Sequence, residues 1–553
     1  MTFLFISVFL YPREDKFPTL DQYDILSVVD SIPLPVFSVP EGIYDQPFTL
    51  EIQAPAGYDI FYTIDGSIPS IYSLKYKNEI NVNLLKNPNK NILFIPTSFK
   101  WRPPRGQQNH SAVFRARCFK AGVGYGKTTN VIYSLPSIQQ HQGFQVAHIF
   151  MEADSLFSRE KGIYVLGKKY YSKKTMAEIN QSPVNIRWYE YPANYHKKGI
   201  RWTRPAELIM MDLSGKTLYE KSIRLRIHGR GTRAYPEKSF RIMPDSIRGD
   251  TVIRYRFFED LSRDSFKKIL LRNLGNELEW PMDAMLQQTV KGLWPIIQEY
   301  APAVVYINGN YWGIHNFKEK PDEQFLADKY GAPLGDIELL NYHRKLELQY
   351  GDIQSLLSFE ELIEYIQKNS MSDEKAYQHV CTQMDINNFI DYMIIETFFA
   401  NFDWGYNNIR LYRVKQQTDS MKEKNIEAGK WRWLLFDLDA GMFKSPSYNM
   451  FNILKERFYC DFITPMFFSL LDNTGFKEQF LKRYDFVINN YFTTEKMIQQ
   501  IDIFEAQYQF EIRRHIARWQ TIEGMRFWQS TIAQMKEFAR KRSGYVFEQL
   551  KAL

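Results

Sequence analysis

The sequence predicts an α+β protein in two lobes, a mostly β half followed by a mostly α half, with a small all-β sandwich in front. Three observations predict it. Residues 33–136 alternate apolar and polar side chains between proline and glycine punctuation, and residues 162–244 continue in strand-and-turn patterns. From about residue 355 onward the apolar residues recur at helical spacing instead. A Ser/Gln-rich joint, "SLPSIQQHQGFQ" (134–145), separates the sandwich from a larger unit expected over 145–545.

A chain of 553 residues has room for about two to four domains, and 44% apolar and 16% aromatic residues are ample for packed cores. The net charge of +7 is too mild for a dedicated nucleic-acid binder. Cys118, Cys381 and Cys460 are far apart and odd in number, which excludes a disulfide framework and any CxxC metal site. The nine histidines form no HExxH, and GxSxG and Walker strings are absent, so zinc-protease, α/β-hydrolase and P-loop readings have no support. No stretch is long and apolar enough for a transmembrane helix.

Residues 1–32 form an N-terminal segment whose apolar run, Phe3 to Tyr11, stops at Pro12. It reads either as a frayed or buried N-terminal segment or as a signal sequence with a truncated start. In the sandwich, Phe48, Leu50 and Ile52 alternate, "DIFYTIDGS" runs into an Asp65-Gly66 turn, and Val113, Arg115 and Arg117 alternate with Phe114, Ala116 and Cys118. A helical period is visible only near 81–90. In the larger unit, strands are expected in 162–171, 206–231 and 238–244. A helix should begin near Met282, and Asn308-Gly309 should turn a hairpin within 301–319. Asp385 should cap a helix with Phe389, Ile390, Met393, Ile394, Thr397 and Phe398 on one face. The helix at 511–519, "EIRRHIARW", is basic and expected to be solvated or to face anions.

Two constellations carry chemistry. Asp403, Asn407 and Asn408 lie between that capped helix and a strand at 409–413, and a second strand at 431–436 delivers Asp437 and Asp439. A hairpin brings its two ends together, so these oxygens should gather where Mg²⁺, a hard cation that takes one or two carboxylates, would suit them. An acid not spent on metal would accept a hydroxyl proton. An Asp, an Asn five positions on and a metal-binding Asp beyond a hairpin is also the order found in kinases. The plainer alternative is that Asp403 and Asn407 only cap turns. The second constellation runs from Arg224 to Arg256, with nine basic residues against three acids, so most of the chain's positive charge is local. There Gly229 and Gly231 allow close backbone approach, and Lys238 is a lysine suited to phosphate. A solvated basic sheet edge or an anionic-surface patch would read the same way.

The stretch "PEGIYDQPFTLEI…IFYTIDGSIPS…FRARCFKAG" resembles the chitobiase/β-hexosaminidase C-terminal-type domain, an immunoglobulin-like sandwich that accompanies secreted enzymes. The motifs "GRGTRAYPEKSF", "LRNLGNELEWPMDAM", "VVYINGNYWGIHNFKEKPDEQFL", "NFDWGYNNIRLYR" and "WRWLLFDLDAGMF" resemble the CotH family of spore-coat-type atypical kinases. That resemblance implies a kinase-like fold and phosphorylation of protein Ser or Thr with ATP and Mg²⁺ or Mn²⁺. It implies Asp403 as the catalytic acid, Asn408 and Asp437 as metal ligands, and Asp439 as their support. It also implies Lys238 and Arg233 at the phosphates and Glu319 near the nucleotide, with Arg272 and Asp283 expected to orient Lys238. The sandwich implies a secreted or envelope location and a possible glycan contact. A non-catalytic surface adhesion or scaffold protein is the alternative.

Overall fold

The computed structural model describes residues 28–181, 187–274, 282–456 and 462–553. The N-terminal segment, read either way, lies outside them up to residue 27, and Val28 and Ile32 already belong to the sandwich, through a bridge to Tyr125 and a buried side chain. Cys460 and part of the motif "LRNLGNELEWPMDAM" also lie outside the described residues.

The chain is mixed α and β with a small β domain in front. The long strand Ser111–Lys120 pairs with Thr129–Ser134 on one side and Asp59–Thr63 on the other. Its alternation sorts two faces. Phe114, Ala116 and Cys118 enter the sandwich core with Leu50, Ile60 and Tyr133. Arg115, only 1% exposed, points the other way and donates to Glu207 of the larger unit, to the Gly66 carbonyl at 2.6 Å and to Asn130 at 2.9 Å. No helix forms at 81–90. Ile80–Val82 is a strand paired with Phe48–Leu50, and the helical tendency survives as a 3₁₀ turn at Lys90–Phe94.

The larger unit begins with a closed barrel. Its strands are β1 (Gln145–Phe150), β2 (Arg204–Met211), β3 (Thr217–Ile227), β4 (Phe240–Pro244), β5 (Ile269–Asn273), β6 (Tyr300–Ile307) and β7 (Asn310–Glu319). They close in the order β1-β2-β3-β4-β5-β7-β6, and only the closing pair, β1 with β6, is parallel. Alternation fills the interior with Ile149, Leu208, Leu225, Phe240, Leu271, Val305 and Phe317. It turns the intervening side chains outward. The registers set Arg226 beside Arg241, Arg241 beside Leu270 and Leu270 beside Lys318, one row across the outer face. The β6–β7 hairpin turns at Asn308 (φ 49°) and Gly309 (φ 78°), as the Asn-Gly pair predicts.

Residues 162–171 are not a strand. Ile163 and Tyr164 donate their amides to Ser155 and Leu156, and Lys168 donates to Arg159, so the segment folds back on a short helix end instead. Its apolar residues still serve the barrel core.

The second part of the unit is largely helical around a sheet ordered β9-β8-β10-β11, with β8 Ile337–Tyr342, β9 Leu346–Tyr350, β10 Ile409–Val414 and β11 Arg432–Leu434. The helices that matter here are α1 (Met282–Thr289), α2 (Glu323–Tyr330), α3 (Ile386–Phe398) and α4 (Glu511–Trp519). Asp385 caps α3 by accepting from the Asn388 amide. Every residue of α3 from Asn388 to Phe398 is buried, so the one-sided face read from sequence is too narrow. Its polar groups are paired inside: Asn388 exchanges hydrogen bonds with the Trp433 backbone, and Tyr392 accepts from Trp404 Nε1 at 2.7 Å.

Helix α4 overturns its sequence reading as well. Glu511, His515 and Arg518 are buried, and the Arg518 guanidinium lies 3.8 Å and 4.5 Å from the ring centres of Trp519 and Trp312. His515 accepts from the Ile314 amide through Nδ1 and faces Glu237, which also faces His315. Burial pushes His315 down to about 4, and burial with His315 beside it pushes His515 down to about 3. His148 falls to about 3 by burial, and buried His228 falls too. Burial raises the carboxyls of Glu237 and Glu396 instead.

A pH dependence of stability follows. Unfolded histidines take a proton as pH drops through about 6.5, while these four stay neutral in the fold. Glu237 and Glu396 act in the opposite sense, because the fold keeps protons that the unfolded chain releases above about pH 4.3. His196 and His110 add to the histidine side, and Asp403 and Glu220 to the carboxyl side. Six histidines lose proton affinity in the fold and four carboxyls gain it, so unfolding takes up protons below about pH 6.5 and stability falls as pH drops. Urea titrations at pH 6 and pH 5 measure this. Equal stability at the two values would contradict it.

Candidate active site

The candidate site is where the outer face of the barrel meets the loops at the ends of β10 and β11. On the helical side the chain leaves α3 through Ala400, in the left-handed region at φ 53°. The Asn401 amide returns to the Glu396 carbonyl, and its side chain donates to the Glu396 carboxyl at 2.8 Å and to the Asp437 carbonyl at 3.4 Å. Trp404 is fully buried and anchors the loop through Tyr392. Asp403 then accepts three hydrogen bonds, from the Tyr406 hydroxyl at 2.7 Å, Asn407 at 3.2 Å and Asn408 at 3.1 Å. Asn407 is thus more than a turn residue: it also accepts from His343. Burial raises the Asp403 pKa and the charge of Asp437 raises it further, while the Tyr406 hydrogen bond opposes both.

Asp437 and Asp439 follow β11 and both meet the guanidinium of Arg272 on β5, Asp437 at 3.1 Å. Burial works against ionisation of Asp437, but Arg272 and then Lys318 hold it below the ordinary carboxylate range. Asn408 and Asp437 are both left-handed, at φ 58° and 64°. Such backbone is tolerated best by Asn, Asp and Gly, and strain of this kind clusters at working sites.

Lys318, on the outer face of β7, pairs with Asp283 of α1. Asp283 also accepts from Gln287 at 2.7 Å and from the Leu438 amide at 2.9 Å, which ties α1 to the loop between Asp437 and Asp439. Burial and the neighbouring Arg272 push the Lys318 ammonium down, while Asp439 and Asp437 oppose the shift. Arg410 of β10 donates to the Pro321 carbonyl and stacks 3.9 Å from the ring centre of Phe436, bracing the crossing between β7 and α2.

Asp403, Asn408, Asp437 and Asp439 therefore come together as the hairpin argument requires. Lys238, Arg233 and Glu319 do not join them. Lys238 is 0% exposed, and its ammonium donates to the carbonyls of Arg233 at 2.9 Å and Tyr235 at 2.6 Å beneath the Tyr195 ring. The cause is parity: Phe240 points into the barrel, so Lys238 two residues earlier does too, whereas Arg241 lies on the outer face. Arg233 donates to the carbonyls of Gly229, Tyr195 and Lys197, so it braces the glycine loop. Glu319 lies where the barrel meets the helical part, but its carboxylate is taken by Arg263 at 2.6 Å, Lys329 at 3.4 Å and the Glu299 amide. Arg272 and Asp283 hold the acids and Lys318, and do not orient Lys238. Lys318 shares its face with Ile314 and Asn316 in "GIHNFKE", opposite the inward Phe317, and that parity is the signal that could have found it.

Among the described residues no three His, Cys, Asp or Glu side chains gather as a metal cage. The oxygens present are hard donors: two carboxylates, plus the Asn408 amide, whose nitrogen is committed to Asp403. They fit a cation that takes few protein ligands and completes its shell with phosphate and water.

Fold and site together define a mixed α and β protein in which a basic barrel face meets an acid-and-amide loop. The family model described as CotH kinase protein matches residues 225–546, more than half of the chain, and the chain belongs to that family. The model of the chitobiase/beta-hexosaminidase C-terminal domain matches residues 39–95. A search of curated proteins finds no match. Among the described residues no helix is long and apolar enough to cross a membrane.

Proposed function

We propose that this chain is a two-lobed, CotH-like protein kinase that transfers the γ-phosphoryl group of ATP to Ser or Thr of protein substrates outside the cytosol, secreted or at the cell envelope. The observation that carries the reading is the meeting of Asp403 and Asn408 with Asp437 and Asp439 opposite the Lys318–Asp283 pair. Asp403 would orient the acceptor hydroxyl and take its proton, helped by the raised affinity that burial gives its carboxylate for protons. Lys318 takes the phosphate role first assigned to Lys238. Arg226 and Arg241 have no carboxylate in ion-pair contact among the described residues, and they offer the remaining positive charge to a triphosphate. Mg²⁺ or Mn²⁺ held by Asn408, Asp437 and Asp439 would neutralise charge on the phosphates. The export clause rests on the domain matched at 39–95.

The test is transfer of label from ATP with Mg²⁺ or Mn²⁺ to a panel of Ser/Thr-containing proteins, wild type beside Asp403→Ala. The variant should lose roughly a hundredfold to ten-thousandfold in rate while still binding ATP. Equal labelling by both proteins, or none by either, would return the non-catalytic scaffold reading.

A further inference from the structure

Arg272 stands on the outer face of β5, with Asn316 of β7 as its cross-strand neighbour. Its Nη2 meets both Asp437 and Asp439, so one fixed cation neutralises the two carboxylates assigned to the metal. A divalent cation on the same oxygens would lie against that guanidinium, and like charges at contact distance oppose each other. Lys318 is engaged by Asp283 and Arg410 by the Pro321 carbonyl; both favour the Asp437 charge from nearby, whereas Arg272 touches both carboxylates. The guanidinium fork matches phosphate as well as carboxylate.

We propose that Arg272 is an internal competitor for the cation site, so that the site accepts a divalent cation tightly only once phosphates of a nucleotide draw the guanidinium away from Asp437 and Asp439. This rests on the kinase reading for the identity of the nucleotide. Arg272 is accordingly a positioning residue, exchanging one set of anions for another. By linkage, metal-free ATP and the cation raise each other's affinity by the same factor, and Arg272 is the source of part of that factor.

Two titrations of the full chain test it: Mn²⁺ alone, followed by the free-ion spin resonance signal, and ATP alone in EDTA, followed by calorimetry. Arg272→Gln should bind Mn²⁺ without nucleotide roughly tenfold to a hundredfold tighter than wild type, and should bind metal-free ATP more weakly. The opposite signs matter, because a variant that merely loosens the fold weakens both. Arg272→Lys, which keeps the charge and loses the fork, should fall between the two proteins in each titration. Unchanged or weaker Mn²⁺ binding by Arg272→Gln would overturn the proposal. Absence of ATP binding to the wild type in Mg²⁺ would overturn the kinase reading instead, and the Mn²⁺ comparison would still decide the competitor role.

Discussion

Replacing Lys318 by methionine should remove the proposed phosphoryl transfer and lower stability by about 3–5 kcal/mol, because Asp283 is left charged and unpaired in a buried place. Asp283→Leu should cost a similar amount, and two of its hydrogen-bond donors, Gln287 and the Leu438 amide, lose their acceptor as well. The double variant separates the two effects. Apolar side chains in place of a buried pair are often close to neutral, so K318M/D283L should recover much of the stability lost by either single change. It should recover none of the transfer, because the ammonium that would meet phosphate is gone. Chemical unfolding and label transfer on the same four proteins make the comparison. Transfer by K318M near the wild-type rate would remove Lys318 from the site, and additive losses of stability would mean the two side chains do not act as a pair.

A chain that begins at residue 137 will fail to fold cooperatively. The sandwich is continuous with the barrel through several kinds of contact. Arg115 is buried against Glu207 of β2, Glu41 accepts from the backbone and hydroxyl of Thr217, and Asn87 donates to Asn310 at 2.8 Å. The segment 86–110 then crosses the barrel, burying Leu93 in its core and fixing Thr97 to the Pro236 carbonyl at 2.8 Å. It ends on α4, where the Arg105 amide donates to Ala517 and Gln520 donates to Pro103. Deletion would leave Glu207 and Asn310 without these partners and expose core surface, each a source of about 1–3 kcal/mol and together comparable with the whole stability of a domain. Circular dichroism melting of the shortened chain checks this. A cooperative transition within a few degrees of the full chain would show that the sandwich is merely appended.

The acid-and-amide group was legible because a hairpin leaves little freedom: whatever flanks 409–413 and 431–436 must end up adjacent. The lysine was not, since choosing it meant knowing which way each strand faces. Lys238 has the right neighbours in sequence and the wrong parity, and Lys318 the reverse. Barrel closure was invisible for another reason. It depends on a parallel pairing of Val146 with Val304, and alternation within each strand says nothing about a partner so far along the chain. The arginines of helix 511–519 have the spacing of surface charge, but two tryptophans and Glu237 make an interior environment for Arg518. The strand expected at 162–171 failed because its apolar run met a helix end before it met a sheet.

The left-handed backbone at Asn408 and Asp437 limits which letters of the protein alphabet these positions can exchange. Asp, Asn and Gly take this backbone at the lowest cost, so drift there should favour those three. A glutamate, which preserves the charge, is nonetheless a foreign letter at 437, since it adds a methylene to a carboxylate whose reach is set by an already unusual turn. Among related chains, the spelling at these two positions would therefore separate working copies from decayed ones more sharply than their charge does.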